Sequence, residues 1–146
     1  MWGLLRVPFR LIVARLEDEL REKGYEGIRR SHFRIFRAAQ GVDGYSLTQL
    51  AKQARITKQS AAYFIEDLES HGYVTSTPHP QDERALTIRL TRRGQEVERE
   101  MRRIIDRTEA EWARMLGKTR FAQFKRLLVD LARALEKDGH VESDRD

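Results

Sequence analysis

The chain has 146 residues, of which 40% are hydrophobic and 35% charged, and its apolar residues recur at regular spacings. This pattern indicates one folded domain, or one domain with an extension that packs on a partner, rather than a disordered chain. The 28 Lys and Arg residues exceed the 23 Asp and Glu residues, and the net charge of +5 favours an anionic partner. The sequence contains no cysteine, which excludes disulfides, cysteine-based metal sites and thiol redox sensing.

The N-terminal part of the sequence predicts two helices. Residues 5–22 place apolar side chains at spacings of three and four, which is typical of a helix with one apolar stripe. Pro8 is compatible with that helix only in its first turn, so the regular part should begin near Val7, and Gly24 should end it. A second helix is predicted over residues 29–40.

The next segment has the pattern of a helix-turn-helix. Ser46 is a suitable N-cap for a helix over residues 47–54, and a second helix is predicted over residues 57–71. The turn carries Arg55 where glycine is common, so it requires a conformation that accepts another residue. An ordinary helical hairpin is the alternative. The residues that suit two helices crossing at a steep angle are Leu50, Ala51, Ala54, Ile56, Ala61, Phe64 and Leu68.

The second half of the chain predicts a hairpin and two long helices. Residues 73–77 and 86–90 alternate as strands do, with a charged turn between them. Thr91 then caps a helix that continues to about residue 116, and a last helix covers residues 120–137.

These elements predict a mainly α fold with a small β-wing, a winged helix-turn-helix flanked by N- and C-terminal dimerisation helices. The predicted parts are an N-terminal dimerisation helix (1–28), a DNA-binding lobe (29–94), C-terminal dimerisation helices (95–138) and a flexible tail (139–146). The apolar stripes outside the winged unit are too extensive for that unit to cover, and a second copy of the chain is the simplest partner.

The predicted helix 57–71 has a composition suited to DNA. Its N-terminus favours phosphate, Lys58 suits phosphate or guanine, and Gln59 suits adenine in the major groove. Three acids, Glu66, Asp67 and Glu69, lie in its C-terminal half. A solvated polar face is the alternative interpretation. The residues predicted to contact DNA from this helix are Thr57, Lys58, Gln59, Ser60, Ala62 and Tyr63.

The predicted wing, residues 78–85, adds a second candidate contact with DNA. Arg84 is suited to enter a minor groove, where the potential is most negative, and Asp82 could hold it through a salt bridge. Taken alone these charges are weak support, because surface turns are often charged.

Four motifs resemble those of the MarR (multiple antibiotic resistance regulator) family of transcription regulators, and the likeness extends over nearly the whole chain. The most specific of them are LESHGYV, which leads into the wing, and the wing itself. The motifs are residues 47–51 (LTQLA), 57–60 (TKQS), 68–74 (LESHGYV) and 82–94 (DERALTIRLTRRG).

The resemblance implies a homodimer that binds double-stranded DNA at a palindromic operator and acts as a repressor. Helix 57–71 would then lie in the major groove and Arg84, held by Asp82, in the minor groove. Tyr63 departs from the family pattern, in which Arg is frequent at this position. DNA binding would place the protein in the cytoplasm with the nucleoid.

The resemblance further implies release from DNA by a small aromatic or anionic ligand. The candidate pocket residues are Phe9, His32, Phe36 and Trp112, and ordinary core and interface packing is the alternative for all four. The four histidines have no metal-ligand spacing, and we expect no metal and no cofactor.

Other classes of function are less well supported by the sequence. It has no nucleophile with a base, no paired carboxylates beside an apolar helix face and no glycine-rich phosphate loop, so we expect no enzyme. It has no apolar run near the roughly 20 residues of a membrane span and no signal-peptide cleavage site. The alternatives are a ligand-independent or architectural DNA-binding protein, and a module that binds protein.

Overall fold

The computed structural model describes residues 2–39, 44–79 and 81–137. Residues up to Arg103 form one compact unit, and residues from Ile104 onward form another. The predicted mainly α fold with a β-wing is confirmed. Its elements are α1 (Trp2–Glu22), a 3-10 turn (Arg30–His32), α2 (Phe33–Ala38), α3 (Leu47–Ala54), α4 (Lys58–Ser70), β1 (Val74–His79), β2 (Asp82–Leu90), α5 (Arg92–Leu116) and α6 (Lys118–Lys137).

Helix α1 begins earlier than its sequence predicts. It starts at Trp2, so Pro8 lies inside it, and the expected start near Val7 was wrong. Pro8 removes the N–H that would bond to the carbonyl of Leu4, but Leu4 lies in an exposed part of the helix where water can replace that bond. The predicted end is confirmed, because Gly24 adopts a φ of +80° just beyond the helix.

The predicted second helix, residues 29–40, was too long. Its start is a 3-10 turn, because the Nδ1 of His32 accepts a hydrogen bond from the backbone N–H of Arg29 at 3.1 Å. α2 covers only Phe33–Ala38, and the predicted end at residue 40 lies outside the described residues. Ile35 and Phe36 on this helix are fully buried.

The helix-turn-helix turn depends on a left-handed residue. The predicted cap is confirmed, since the Ser46 hydroxyl accepts from the Gln49 N–H at the start of α3. At the other end, Arg55 adopts φ 56° and ψ 49°, and the Ile56 N–H bonds back to the Ala51 carbonyl at 3.1 Å. Glycine is usual in this conformation, because a Cβ costs roughly 1–2 kcal/mol there. This arginine therefore carries a conformational cost that the packing of α3 on α4 must offset.

The wing is longer and its turn shorter than predicted. The antiparallel ladder runs from Val74↔Leu90 to Pro78↔Leu86, with an irregularity before His79↔Asp82. Most of the predicted turn, residues 78–85, therefore belongs to the strands. Pro78 is tolerated because its position in the ladder requires no N–H donor toward β2.

The hydroxyl of Thr91 ties the end of the wing to the end of α4. It donates to the carbonyl of Gly72 at 2.7 Å and accepts from the N–H of Gly94 at 3.1 Å, which confirms Thr91 as the cap of α5. Gly72 ends α4 with a φ of +76°. A Cβ on Gly94 would lie 2.0 Å from the carbonyl oxygen of Tyr73, so only glycine permits this close approach.

The second unit contains the end of α5 and all of α6. Gly117, with a φ of +86°, separates the two helices, and α6 starts at Lys118 rather than near the predicted residue 120. Trp112 packs edge-on against Phe121, with ring centroids 6.5 Å apart. α6 nevertheless leaves a row of apolar side chains exposed: Phe124, Leu127, Leu128, Val129, Leu131 and Leu135.

The left-handed conformation at residue 55 predicts a difference between two substitutions. Arg55→Gly and Arg55→Ala both remove the side chain, but only glycine adopts this conformation without strain. We expect the Gly variant to have the larger free energy of unfolding, by about 1 kcal/mol. Chemical denaturation of the two variants measures the difference, and an Ala variant as stable as the Gly variant would contradict the strain.

Candidate nucleic-acid interface

Helix α4 presents one continuous face to solvent. Lys58, Gln59, Ala62 and Tyr63 are all exposed, and their spacing places them on one side of the helix. The opposite side carries residues that are almost completely buried: Ala61, Ile65 and Leu68. Four of the six predicted contact residues of this helix therefore share a single accessible surface.

The other two predicted residues form the cap of the helix. The Thr57 hydroxyl accepts from the Ser60 N–H at 3.1 Å and donates to the Ser60 hydroxyl at 2.9 Å, which confirms Thr57 as the N-cap. Ser60 is half-buried. The backbone N–H groups of Lys58 and Gln59 belong to the first turn and have no acceptor within the helix, so the helix end attracts anions.

Asp67 on α4 points inward rather than along the exposed face. Its Oδ2 lies 3.0 Å from the Nε2 of His32 and 3.3 Å from an Nη of Arg29, and its Oδ1 lies 3.7 Å from the Nδ1 of His71. In the sequence, Asp67 lies in the C-terminal half of the predicted helix 57–71. The sequence did not predict these partners, because two of them lie more than 30 residues away along the chain.

His32 is a buried link between the 3-10 turn and α4. Its Nδ1 accepts from the Arg29 N–H, so the proton of the neutral ring is on Nε2, which donates to Asp67. Burial lowers the pKa of His32 below the usual 6.5, with nearby Arg29 and His71 adding to that effect and Asp67 opposing it. Its ring also packs edge-on against Phe64.

The candidate ligand residues occupy different environments. His32 and Phe36 are fully buried, and Phe36 packs edge-on against Tyr73. Phe9 is 56% exposed, with the Arg30 guanidinium 5.8 Å from its ring centroid. Trp112 belongs to the second unit.

The wing residues with predicted contacts lie on β2. The backbones of Asp82 and Arg84 are strand residues, and Asp82 pairs with His79. Their side chains, and therefore the predicted salt bridge between them, lie outside the described part of the structure.

Glu69 joins α4 to the wing, and the sequence alone predicts no contact for it. Its Oε1 accepts a hydrogen bond from the backbone N–H of Ser76 at 2.7 Å. Nothing in the spacing of residues 69 and 76 signals this contact, since it depends on how the hairpin turns back along the helix.

The residues of the winged unit match a known protein family. The model of the MarR family matches residues 28–86, which run from the segment before the 3-10 turn into β2. Over these residues the winged unit is similar to the MarR family. No curated protein sequence matches the chain significantly.

Solved structures share the fold of this chain. FabT of Streptococcus pneumoniae, solved in complex with DNA, is 20% identical with a TM-score of 0.79, over 92% of this chain and 94% of FabT. BpsR of Bordetella bronchiseptica, whose DNA binding is regulated by 6-hydroxynicotinic acid, is 19% identical with a TM-score of 0.69, over 89% and 96%. PcaV of Streptomyces coelicolor, in complex with its natural ligand, is 21% identical with a TM-score of 0.60, over 82% and 90%. At these identities the likeness establishes a common fold.

Among the residues that the structure describes, no group of three or more His, Asp or Glu side chains could hold a metal ion. None of the described helices combines the length and apolar character that a bilayer span requires.

The buried His32 predicts a loss of stability in acid. Its folded-state pKa lies below its unfolded value of 6.5, so the unfolded chain takes up the proton first as the pH falls. The His32 contribution should be constant above about pH 6.5 and decline below it, down to the folded-state pKa.

His32→Asn is the matched control for this effect, because its side-chain oxygen can still accept from the Arg29 N–H but does not titrate. Urea denaturation between about pH 8 and pH 5 should show parent and variant converging in stability as the pH falls. A difference that is constant across this range would contradict the assignment of a neutral, buried His32.

Proposed function

We propose that this protein is a homodimeric, sequence-specific DNA-binding transcription regulator, and not an enzyme. The observation that carries the proposal is the exposed face of α4. It combines a cation, an amide and an aromatic hydroxyl with the anion-attracting end of the helix, while Asp67 is turned inward and Glu69 bonds to the wing. FabT, which has this fold, was solved in complex with DNA.

Each residue of α4 has a proposed role in the major groove. Lys58 pairs with a phosphate and Gln59 makes two hydrogen bonds to an adenine. Ala62 leaves room for a base edge, or contacts a thymine methyl group, and Tyr63 donates its hydroxyl to the DNA backbone. The cap residues Thr57 and Ser60 hold the first-turn N–H groups toward a phosphate.

The wing is proposed to contact the adjoining minor groove. Arg84 inserts there because the potential is most negative in a narrow minor groove, and Asp82 orients it. Contacts of this kind add affinity at every site and contribute to specificity through groove width rather than through base edges.

The dimer is proposed from exposed apolar surface in both units. α1 exposes Leu4, Leu5, Val7, Phe9 and Leu11, and α6 exposes the row ending at Leu135. Contiguous apolar surface of this extent on long helices is typical of a subunit interface. A two-fold dimer reads a palindrome, with its recognition helices one DNA turn, or roughly 34 Å, apart.

We further propose that the protein is a repressor, located with the nucleoid in the cytoplasm, that a small aromatic or anionic ligand releases from DNA. Two proteins that share the fold support this: the DNA binding of BpsR is regulated by 6-hydroxynicotinic acid, and PcaV was solved in complex with its natural ligand. Phe9, His32 and Phe36 are the proposed pocket residues of the first unit. The burial of His32 and Phe36 favours instead a core role for those two, and a ligand-independent or architectural DNA-binding protein is the second candidate function.

Thermal-shift screening of small aromatic carboxylates separates the two candidates. A ligand that binds the folded protein stabilises it by an amount that rises with its concentration. We expect at least one such compound both to raise the melting temperature and to weaken operator binding. Stabilisation without any effect on DNA binding, or no stabilising compound, would favour the ligand-independent protein.

Two α4 substitutions should have different effects on operators selected from random DNA. Gln59→Ala should relax base preference at one position of each half-site, by about tenfold in discrimination. Lys58→Ala should weaken binding to all sequences equally and lower the slope of log affinity against log salt by about one. Equal effects of both substitutions on all sequences would contradict the assignment of Gln59 to a base.

The apolar face of α6 predicts the effect of a charge on dimerisation. Leu131→Glu places two unpaired charges in the proposed interface and should weaken the dimer by about 100-fold or more. Arg126→Glu, at another exposed position of the same helix, is the control. Analytical ultracentrifugation at micromolar concentration measures both, and a monomeric parent protein would contradict the dimer.

A further inference from the structure

The outer edge of the wing has a backbone donor that the sheet leaves unused. Tyr45 pairs with Ile88 from the far side of β2, through Tyr45 N–H to Ile88 O at 2.9 Å and Ile88 N–H to Tyr45 O at 2.7 Å. Ser76 faces Ile88 from β1. Because the polar groups of Ile88 are directed to Tyr45, the N–H of Ser76 is directed outward, away from β2.

The Glu69 carboxylate accepts from this outward N–H. The distance from the Ser76 nitrogen to Glu69 Oε1 is 2.7 Å, which is short for a bond to nitrogen and typical of a charged acceptor. Glu69 lies in the last turn of α4, whose end is fixed by the left-handed Gly72. The contact therefore connects the last turn of α4 to β1, the edge strand of the wing.

Attachments beyond its base restrict the direction of the wing. At its base the hairpin is held by Thr91, which bonds to Gly72 and to Gly94. A two-stranded hairpin is only marginally stable by itself. Beyond the base, Tyr45 holds the β2 edge at Ile88, and Glu69 holds the β1 edge at Ser76, the residue opposite Ile88. The bond from Glu69 therefore fixes the β1 side of the wing to α4.

We propose that Glu69 is a positioning residue, which sets the wing so that α4 and the wing reach adjacent grooves of DNA together. This inference rests on the proposed DNA-binding function. An acid so near a polyanion weakens binding through its charge alone, so a role for Glu69 in binding must come through what it holds. Glu66, an exposed acid three residues earlier on α4, has the same charge.

The test is a double-mutant cycle between Glu69 and Arg84, measured as operator affinity at fixed salt. In the parent, Arg84→Ala should weaken binding about tenfold. In a Glu69→Ala background the same change should cost less than about threefold, because the wing no longer holds Arg84 in the groove. A residue that affects only stability would give additive effects.

Two control variants separate position from charge. Glu69→Gln keeps an oxygen that accepts from the Ser76 N–H, so the full tenfold cost of Arg84→Ala should return. Glu66→Ala removes the same charge and should also leave that cost unchanged. Hydrogen exchange at the Ser76 amide should be faster in Glu69→Ala than in the parent and in Glu69→Gln, without the DNA.

The possible results distinguish this inference from the function on which it rests. Equal losses from Arg84→Ala in the parent and in Glu69→Ala overturn the positioning role alone, as does an unchanged Ser76 exchange rate. No loss from Arg84→Ala in the parent overturns the minor-groove assignment of the wing, and the positioning role with it.

Discussion

The winged unit depends on the packing around one fully buried residue, Tyr73. Its N–H bonds to the Leu68 carbonyl and ends α4, while its own carbonyl accepts from the Thr91 N–H where α5 begins. Its hydroxyl donates at 2.7 Å to the carbonyl of Glu26, in the segment between α1 and the 3-10 turn. Backbone and side chain of this residue thus bond to three separate parts of the chain. The end of α4, the start of the wing and the start of α5 therefore cannot shift independently.

The dense packing around Tyr73 restricts which residues can lie next to it. Gly94 packs against the Tyr73 carbonyl at a distance that no side chain permits. Arg93 lies over the Tyr73 ring, with its guanidinium carbon 5.1 Å from the centroid, and Phe36 meets the ring edge-on. A protein interior this dense transmits a displacement rather than absorbing it. Helix α4 and the wing therefore keep a defined geometry at their junction.

Two of the three acids of α4 have structural partners. Asp67 bonds to His32 and Arg29, and Glu69 bonds to the N–H of Ser76 in the wing. Both acids lie in the C-terminal half of the helix, whereas the exposed Lys58 and Gln59 lie in its first turn. For these two acids, the separation along α4 that is visible in the sequence corresponds to a separation between residues that hold the helix and residues proposed to contact DNA.

Local chemistry determined a large part of this fold from the sequence alone. Ser46, Thr57 and Thr91 cap helices and Gly24 ends one, because these effects depend on a few neighbouring residues. The periods of the apolar residues gave the helices and strands for the same reason. Tertiary structure decided what depends on partners outside the local segment: the pairing of buried His32 with Asp67, the extent of the wing and the bond from Glu69 to Ser76. A short-range pattern in the sequence cannot predict these features. Each depends on contacts between groups that come together only when the chain folds.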